Sequence, residues 1–179
     1  MTLITNPTRA HFADGVLQEA LQSELELAES KAPLLIAEDK IMEGDFGDRI
    51  HTGLPRATRP HKLTFSHRAD LRERVTALME AGVTPDVIVP FGSAAAIELA
   101  RKCRYALTQK NRSRPLLFAV PGVDGMPNPC MRNLESWRAG LPSVLIYDPT
   151  VALDAGQANS MRALVVSLVR CIESYLAAG

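Results

Sequence analysis

Few residues in this 179-residue chain could staple, anchor or charge it strongly. Its three cysteines, Cys103, Cys130 and Cys171, are odd in number, lack CxxC spacing and fall far short of the density of a secreted disulfide scaffold, so a reducing compartment is expected. Each reads as a small apolar filler. No apolar stretch approaches spanning length, and Met1 to Arg9 lack the charged start and apolar run of a signal peptide, so a soluble, cytoplasmic protein without a membrane partner is expected. Charge is balanced at 20 basic against 20 acidic residues, which leaves no electrostatic footprint for nucleic acid. Internal repeats and low-complexity tracts are absent. His11, His51, His61 and His67 offer no i, i+4 pair and no carboxylate in a ligand-like register, so no metal is expected. Ser66, Ser93 and Ser143 lack a GxSxG context, which removes covalent hydrolysis, and no catalytic residue is nominated. Cys130, between Pro129 and Met131, reads as an ordinary loop thiol.

What is present is an alternation of strand and helix patterns. Thr8 to Phe12 reads as a short strand, and Asp14 is placed to cap a helix to about Ser30 with Leu17, Leu21 and Leu25 along one stripe. Pro33 to Ala37 is an apolar run ending in Glu38-Asp39, and the Gly-, Pro- and charge-rich segment to Arg59 reads mostly as loop with a short helix. Lys62 to Phe65 makes a further strand. A helix follows over Ala69 to Ala81, with Leu71, Val75, Leu78 and Met79 at helical spacing and Gly82 as its stop. Then come a strand at Asp86 to Val89, a helix from Ser93 to about Gln109, a strand at Pro115 to Val120, and an irregular stretch from Gly122 to Gly140 in which Pro127 and Pro129 block pairing. Leu141 to Tyr147 is the last strand, Asp148-Pro149 a turn, and Asn159 to Ala178 a helix. This order predicts an α/β fold, a doubly wound, mostly parallel, Rossmann-like sheet with a C-terminal helix appended. The expected division is a nucleotide-binding unit over 1–156 and the apolar helix over 157–179.

In such a sheet ligands bind beyond the carboxyl ends of the strands. Three turns qualify. The richest is DVIVPFGSAAAIELAR, Asp86 to Arg101, where a buried-strand pattern meets a glycine and runs into an alanine-rich helix whose first N–H groups lack intrahelical partners. Gly92, Ser93 and Ala94 are therefore candidates for a pyrophosphate, Glu38 or Asp39 for ribose hydroxyls, and the Pro121 to Gly125 loop, with Gly122, for the base or the reacting end. Weighed by itself, a single turn glycine more often serves a left-handed backbone angle, and a terminal acid more often caps a helix.

Asp86 to Arg101 is similar without a gap to the DVIVALGGGSxxDxAK region of the iron-containing alcohol dehydrogenase superfamily, which includes glycerol dehydrogenase, maleylacetate reductase and dehydroquinate synthase relatives. Pro115 to Pro121 resembles its PLIAIPTTAGTGSE, Pro142 to Pro149 its PxxVIxDP, and Pro7-Thr8-Arg9 with Phe12 its first strand. The resemblance covers most of the chain and is to the N-terminal domain. It implies binding of NAD or NADP, with hydride chemistry dependent on a metal held in a separate helical domain. At the matching positions the chain departs from the pattern. Ser93, Ala94, Ala95 and Glu98 stand for two glycines, the serine and the aspartate; Gly122-Val123 stand for the Thr-Thr pair; Met126 to Pro129 stand for TGSE. Ser160 to Val166 resembles GMDALAH, but Arg162 and Val166 occupy the places of its two metal ligands, and a cation and a hydrocarbon coordinate neither iron nor zinc. The expectation is a stand-alone dinucleotide-binding unit without dehydrogenase activity of its own. The alternative is an inert-cleft subunit, one version being half of a split oxidoreductase completed by a helical-domain partner chain. Leu164, Val165, Leu168, Val169, Ile172, Tyr175 and Leu176 form an apolar helix face that must fold back on its own sheet or meet another chain, and a homodimer through it is expected.

Overall fold

The computed structural model describes residues 8–66, 71–111, 114–122 and 141–153, with the helical positions 161, 164, 165, 168 and 169. Its elements in chain order are β1 (Arg9–Phe12), α1 (Leu17–Leu27), β2 (Leu34–Glu38), α2 (Asp39–Met42), α3 (Asp45–Thr52), β3 (His61–Phe65), α4 (Leu71–Glu80), β4 (Val87–Gly92), α5 (Ala94–Asn111), β5 (Leu116–Pro121), β6 (Val144–Tyr147) and α6 (Pro149–Leu153). The strands form one sheet in the order β1-β6-β5-β4-β2-β3, and every pairing is parallel.

Strand periodicity divides the core into two layers. Leu35, Ala37, Val87, Val89 and Phe91 point to the face covered by α1, α3 and α6, where Leu17, Leu21, Leu25 and Ile50 meet them. Leu34, Ile36 and Ile88 point to the opposite face, against Leu71 and Leu78 of α4 and Leu99, Cys103 and Leu107 of α5. Helices on both faces explain why β2 and β4 read as continuous apolar runs rather than alternating ones. The doubly wound, Rossmann-like α/β expectation is met. Cys103 is a buried filler of this core, its thiol pushed up to about 12 by burial.

Several local expectations are corrected. The segment after Glu38 is not mostly loop but two short helices, α2 and α3. Helix α1 begins at Leu17 rather than under an Asp14 cap. Its first amides are held by a residue 131 to 133 positions away: Asp148 accepts from Gly15 N–H at 2.9 Å and Leu17 N–H at 3.2 Å. Asp148-Pro149 is not a turn but the start of α6, and Asp148 accepts there too, from the Thr150 N–H at 3.0 Å and its hydroxyl at 2.6 Å. His11 does have a carboxylate, Glu24, whose Oε1 lies 2.8 Å from its Nε2 and whose other contacts are to Arg9. Asp86 ties the amino end of the central strand β4 to the segment leading into β2, accepting from Ser30, Lys31, Ala32 and Val87. Cys130, His67 and most of the Asn159 to Ala178 segment lie outside the described residues. No described helix is long and apolar enough to cross a membrane.

Candidate functional site

The connection from β2 leads outward to the edge strand β3, whereas those from β4 lead the other way, to β5 and β6. The chain direction therefore reverses between β2 and β4, and open parallel sheets ordinarily bind ligands in the crevice beyond the carboxyl ends at such a reversal. That crevice gathers the turns selected from sequence. Glu38 ends β2, Gly92 ends β4, and Gly122 follows β5, its N–H donating to Gly92 O at 2.7 Å.

The strand before the glycine turn runs three residues further than the apolar pattern suggests. β4 runs through Pro90 to Gly92 and is buried throughout. Phe91 points away from the turn into the core, edge-on to Phe46 at 5.4 Å between ring centroids. Gly92 has φ +90°, a conformation that side chains disfavour. A β-carbon there would also lie 2.7 Å from Cδ1 of Ile41, because α2 docks directly over this turn. Gly122 is fitted less tightly, with a notional β-carbon 3.1 Å from Gly92 O. Gly92 is thus favoured by its backbone angle and Gly122 by its close fit to the Gly92 carbonyl, whether or not a ligand is bound. Ile41 gave no sequence signal for this role, since an apolar residue in a charged segment looks like ordinary loop packing.

Ser93 occupies the N-cap position of α5. The N–H of Ala96 donates to Ser93 O at 3.1 Å and, more weakly, to its Oγ at 3.4 Å. The Ser93 hydroxyl thus lends one acceptor to the helix start. The N–H groups of Ala94 and Ala95, the first two helical residues, have no acceptor among the described residues, and both residues are half-buried at the mouth of the crevice. They are donors at the positive end of an 18-residue helix.

The two acids differ in a way the sequence left open. Asp39 is bound by the Ser66 hydroxyl at the end of β3; that bond, then one from Thr64, and then the nearby Arg74 charge hold its pKa below the usual carboxylate range. Glu38 is half-buried at the N-cap position of α2, makes no side-chain cap, and has no hydrogen-bond partner among the described residues. Of the pair, Glu38 is the carboxylate left to receive hydroxyls. Thr64 gives no sequence signal for this role, and Ser66 is weighed there only as a nucleophile, because hydroxyls at the end of an edge strand carry no motif.

By sequence, no protein-family model and no curated protein matches the chain. By structure, it is similar to NADH-dependent butanol dehydrogenase A from Thermotoga maritima (13% identity over 89% of this chain and 47% of that one, TM-score 0.66). It is similar also to an iron-containing alcohol dehydrogenase from Corynebacterium glutamicum (17% identity, 89% and 46%, TM-score 0.61). Sulfoacetaldehyde reductase from Bifidobacterium kashiwanohense, solved in complex with NAD+, aligns at 14% identity over 85% and 47%, with TM-score 0.62. The chain thus shares its fold with these oxidoreductases and spans about half their length.

Proposed function

We propose that this chain is a dinucleotide-binding unit of the iron-containing alcohol dehydrogenase type that takes NAD(H) at the crevice between β2 and β4. One observation carries the reading. The unpartnered amides of Ala94 and Ala95, just after β4, and the unpartnered carboxylate of Glu38, at the end of β2, flank the point where the winding reverses. Main-chain donors suit a diphosphate, and a carboxylate suits vicinal ribose hydroxyls. The NAD+ complex of the sulfoacetaldehyde reductase supports the same class of ligand for this fold.

The residues present fit such a group, with a shift of roles among those chosen from sequence. Gly92 and Gly122 keep the turns compact, Ser93 and Ala94 contribute main-chain groups rather than side chains, and Asp39 orders the β2 turn by tying it to Ser66. Bound here, a nicotinamide dinucleotide would supply hydride chemistry. The chain's own part is to orient it and to shield the diphosphate from water. A catalytic metal does not fit the matching positions, since Arg162 and Val166 offer no lone pair to one. Hydride transfer is therefore assigned not to this chain alone but to an assembly in which another domain or chain supplies the reacting end.

Thermal melting with millimolar NAD, NADH, NADP or NADPH tests the reading, because a ligand of the folded state raises Tm by mass action. Ala94→Pro sharpens it. Proline fits the first position of a helix while deleting one of the donors, so the unliganded Tm should hold and the ligand shift should fall. No shift with any of the four dinucleotides removes the proposal.

A further inference from the structure

The carboxyl ends of β2 and β4 are held side by side by packing rather than by the sheet. Their parallel register runs from Leu34 with Ile88 to Ile36 with Pro90 and goes no further. Pro90 has no N–H with which to continue a ladder. Beyond it each strand stays with its other neighbour, β2 with β3 as far as Glu38 and Phe65, and β4 with β5 as far as Gly92 and Pro121. The last two residues of β2 and of β4 are thus unpaired with each other where the winding reverses. Glu38 ends one branch, and Gly92, followed by Ala94 and Ala95, ends the other.

Two side chains from the segment after Glu38 span the gap. Ile41 of α2 sets Cδ1, Cγ2 and Cγ1 at 2.7, 3.1 and 3.7 Å from where a β-carbon of Gly92 would stand, so it fills the space that the glycine leaves free. Phe46 of α3 packs edge-on to Phe91, the residue before Gly92. Gly122 braces the same turn, its N–H donating to Gly92 O at 2.7 Å. Helix α2 is barely one turn long and Glu38 is its N-cap residue, so a contact that fixes Ile41 fixes the backbone of Glu38 as well.

We propose that Ile41 is a positioning residue for the dinucleotide: by resting on Gly92 it sets the spacing between the Glu38 carboxylate and the amides of Ala94 and Ala95, so that one ligand reaches both. The proposal rests on the dinucleotide reading, because that spacing matters to a ligand carrying ribose and diphosphate together. Ile41 offers such a ligand no polar atom and acts through Glu38. Contacts that are preset cost little reorganisation on binding, whereas a carboxylate free to drift from the diphosphate site gives back part of its contribution.

Isothermal titration with NAD of the parent, Ile41→Ala, Glu38→Gln and the double variant completes a cycle, each run well below the lowest Tm of the set. Ile41→Ala should weaken binding about fivefold or more. Ile41→Val, which keeps a branched carbon against Gly92, should recover most of that loss. The double variant should bind little worse than Glu38→Gln alone, since a carboxylate already out of place has little left to lose. Leu78→Ala, a core truncation on the opposite face of the sheet, controls for general loosening: it should lower Tm and leave NAD affinity within about twofold. Unchanged affinity in Ile41→Ala overturns the proposal. So do single effects that multiply in full in the double variant, or a loss in Leu78→Ala as large as that in Ile41→Ala. A parent that takes no NAD removes the dinucleotide reading and this proposal with it, whereas a parent that binds while the two effects multiply in full removes the positioning role alone.

Discussion

Asp148 Oδ2 lies 2.6 Å from Nη2 of Arg49, and the Asp148 side chain is wholly shielded from solvent. This pair joins the end of β6 to α3, and the same carboxylate starts both α1 and α6. Burial alone would raise the Asp148 pKa, but the Thr150 hydroxyl and the Gly15, Leu17 and Thr150 N–H groups outweigh it and bring it down to about 2. The folded-state value lies below the unfolded one. The stabilisation is therefore complete above about pH 4 and is lost as pH falls towards 2, amounting to about 2 kcal/mol. Urea denaturation should show about half of this loss between pH 7 and pH 3, and most of it by pH 2. Asp148→Asn should cost about 3 kcal/mol at pH 7, as Arg49 is left partly buried without its counter-charge, and should flatten the acid limb.

Glu29 stores strain that can be removed. It has φ +50° just past the end of α1, where Ser30 N–H donates to Leu25 O and Glu29 N–H to Glu26 O, each at 3.0 Å. This is the left-handed helix stop that glycine usually supplies. Glu29→Gly should gain up to about 1 kcal/mol, the relief of backbone strain less the extra freedom of the unfolded chain. Thermal melting should show a rise of about 2–4 °C. Glu29→Val should lower Tm instead, because a β-branched side chain tolerates that angle worst.

Gly92→Ala should destabilise the chain by about 1–3 kcal/mol with no ligand present. Two causes contribute, and a double-mutant cycle with Ile41→Ala separates them. The contact with Ile41 involves the end of a flexible side chain, which can swing aside, whereas φ +90° cannot change without moving the turn. The cycle should recover less than half the cost. Recovery of nearly all of it would make the Ile41 contact, rather than the backbone angle, the reason for glycine.

The parts of this fold legible in sequence are those whose cause is local. Leu71, Val75 and Leu78 repeat at helical spacing, and the β-branched run Val87 to Val89 marks a strand covered on both faces, so α4 and β4 were placed from their residues alone. The missed features have causes elsewhere in the chain. Helix α2 has four residues, too few to establish a period. Gly47 inside α3 looks like a loop marker, yet it is needed because a β-carbon there would sit 2.1 Å from Met42 O. β4 runs on past Val89 through Pro90, because an extended backbone accommodates its fixed φ at the cost of one missing donor. The cap of α1 comes from Asp148, and no local window contains both partners. At the candidate site the sequence singled out turns that lie together at one end of the sheet but could not choose between Glu38 and Asp39, because that choice depends on the hydroxyl of Ser66 just past a neighbouring strand.

That choice sets the expected cofactor preference. Two adjacent acids end β2, and Asp39 stays ionised well below neutral pH because Ser66 and Thr64 donate to it. A 2′-phosphate brought beside them would meet like charge with its own hydration stripped, whereas a free 2′-hydroxyl would meet an acceptor in Glu38. NAD and NADH should therefore stabilise the chain more than NADP and NADPH at equal concentration. Glu38→Gln should weaken NAD binding by about tenfold or more, the worth of a hydrogen bond to a charged acceptor, and should narrow the gap to NADP. Asp39→Asn should narrow that gap too while leaving NAD affinity closer to its starting value, because Asp39 acts by holding the turn and by its field. Isothermal titration of the parent and both variants with NAD and NADP separates the roles. A preference for NADP in the parent would mean that the cations near the end of β3, Arg74 among them, outweigh the two carboxylates, and the assignment of Glu38 to the ribose would then fail.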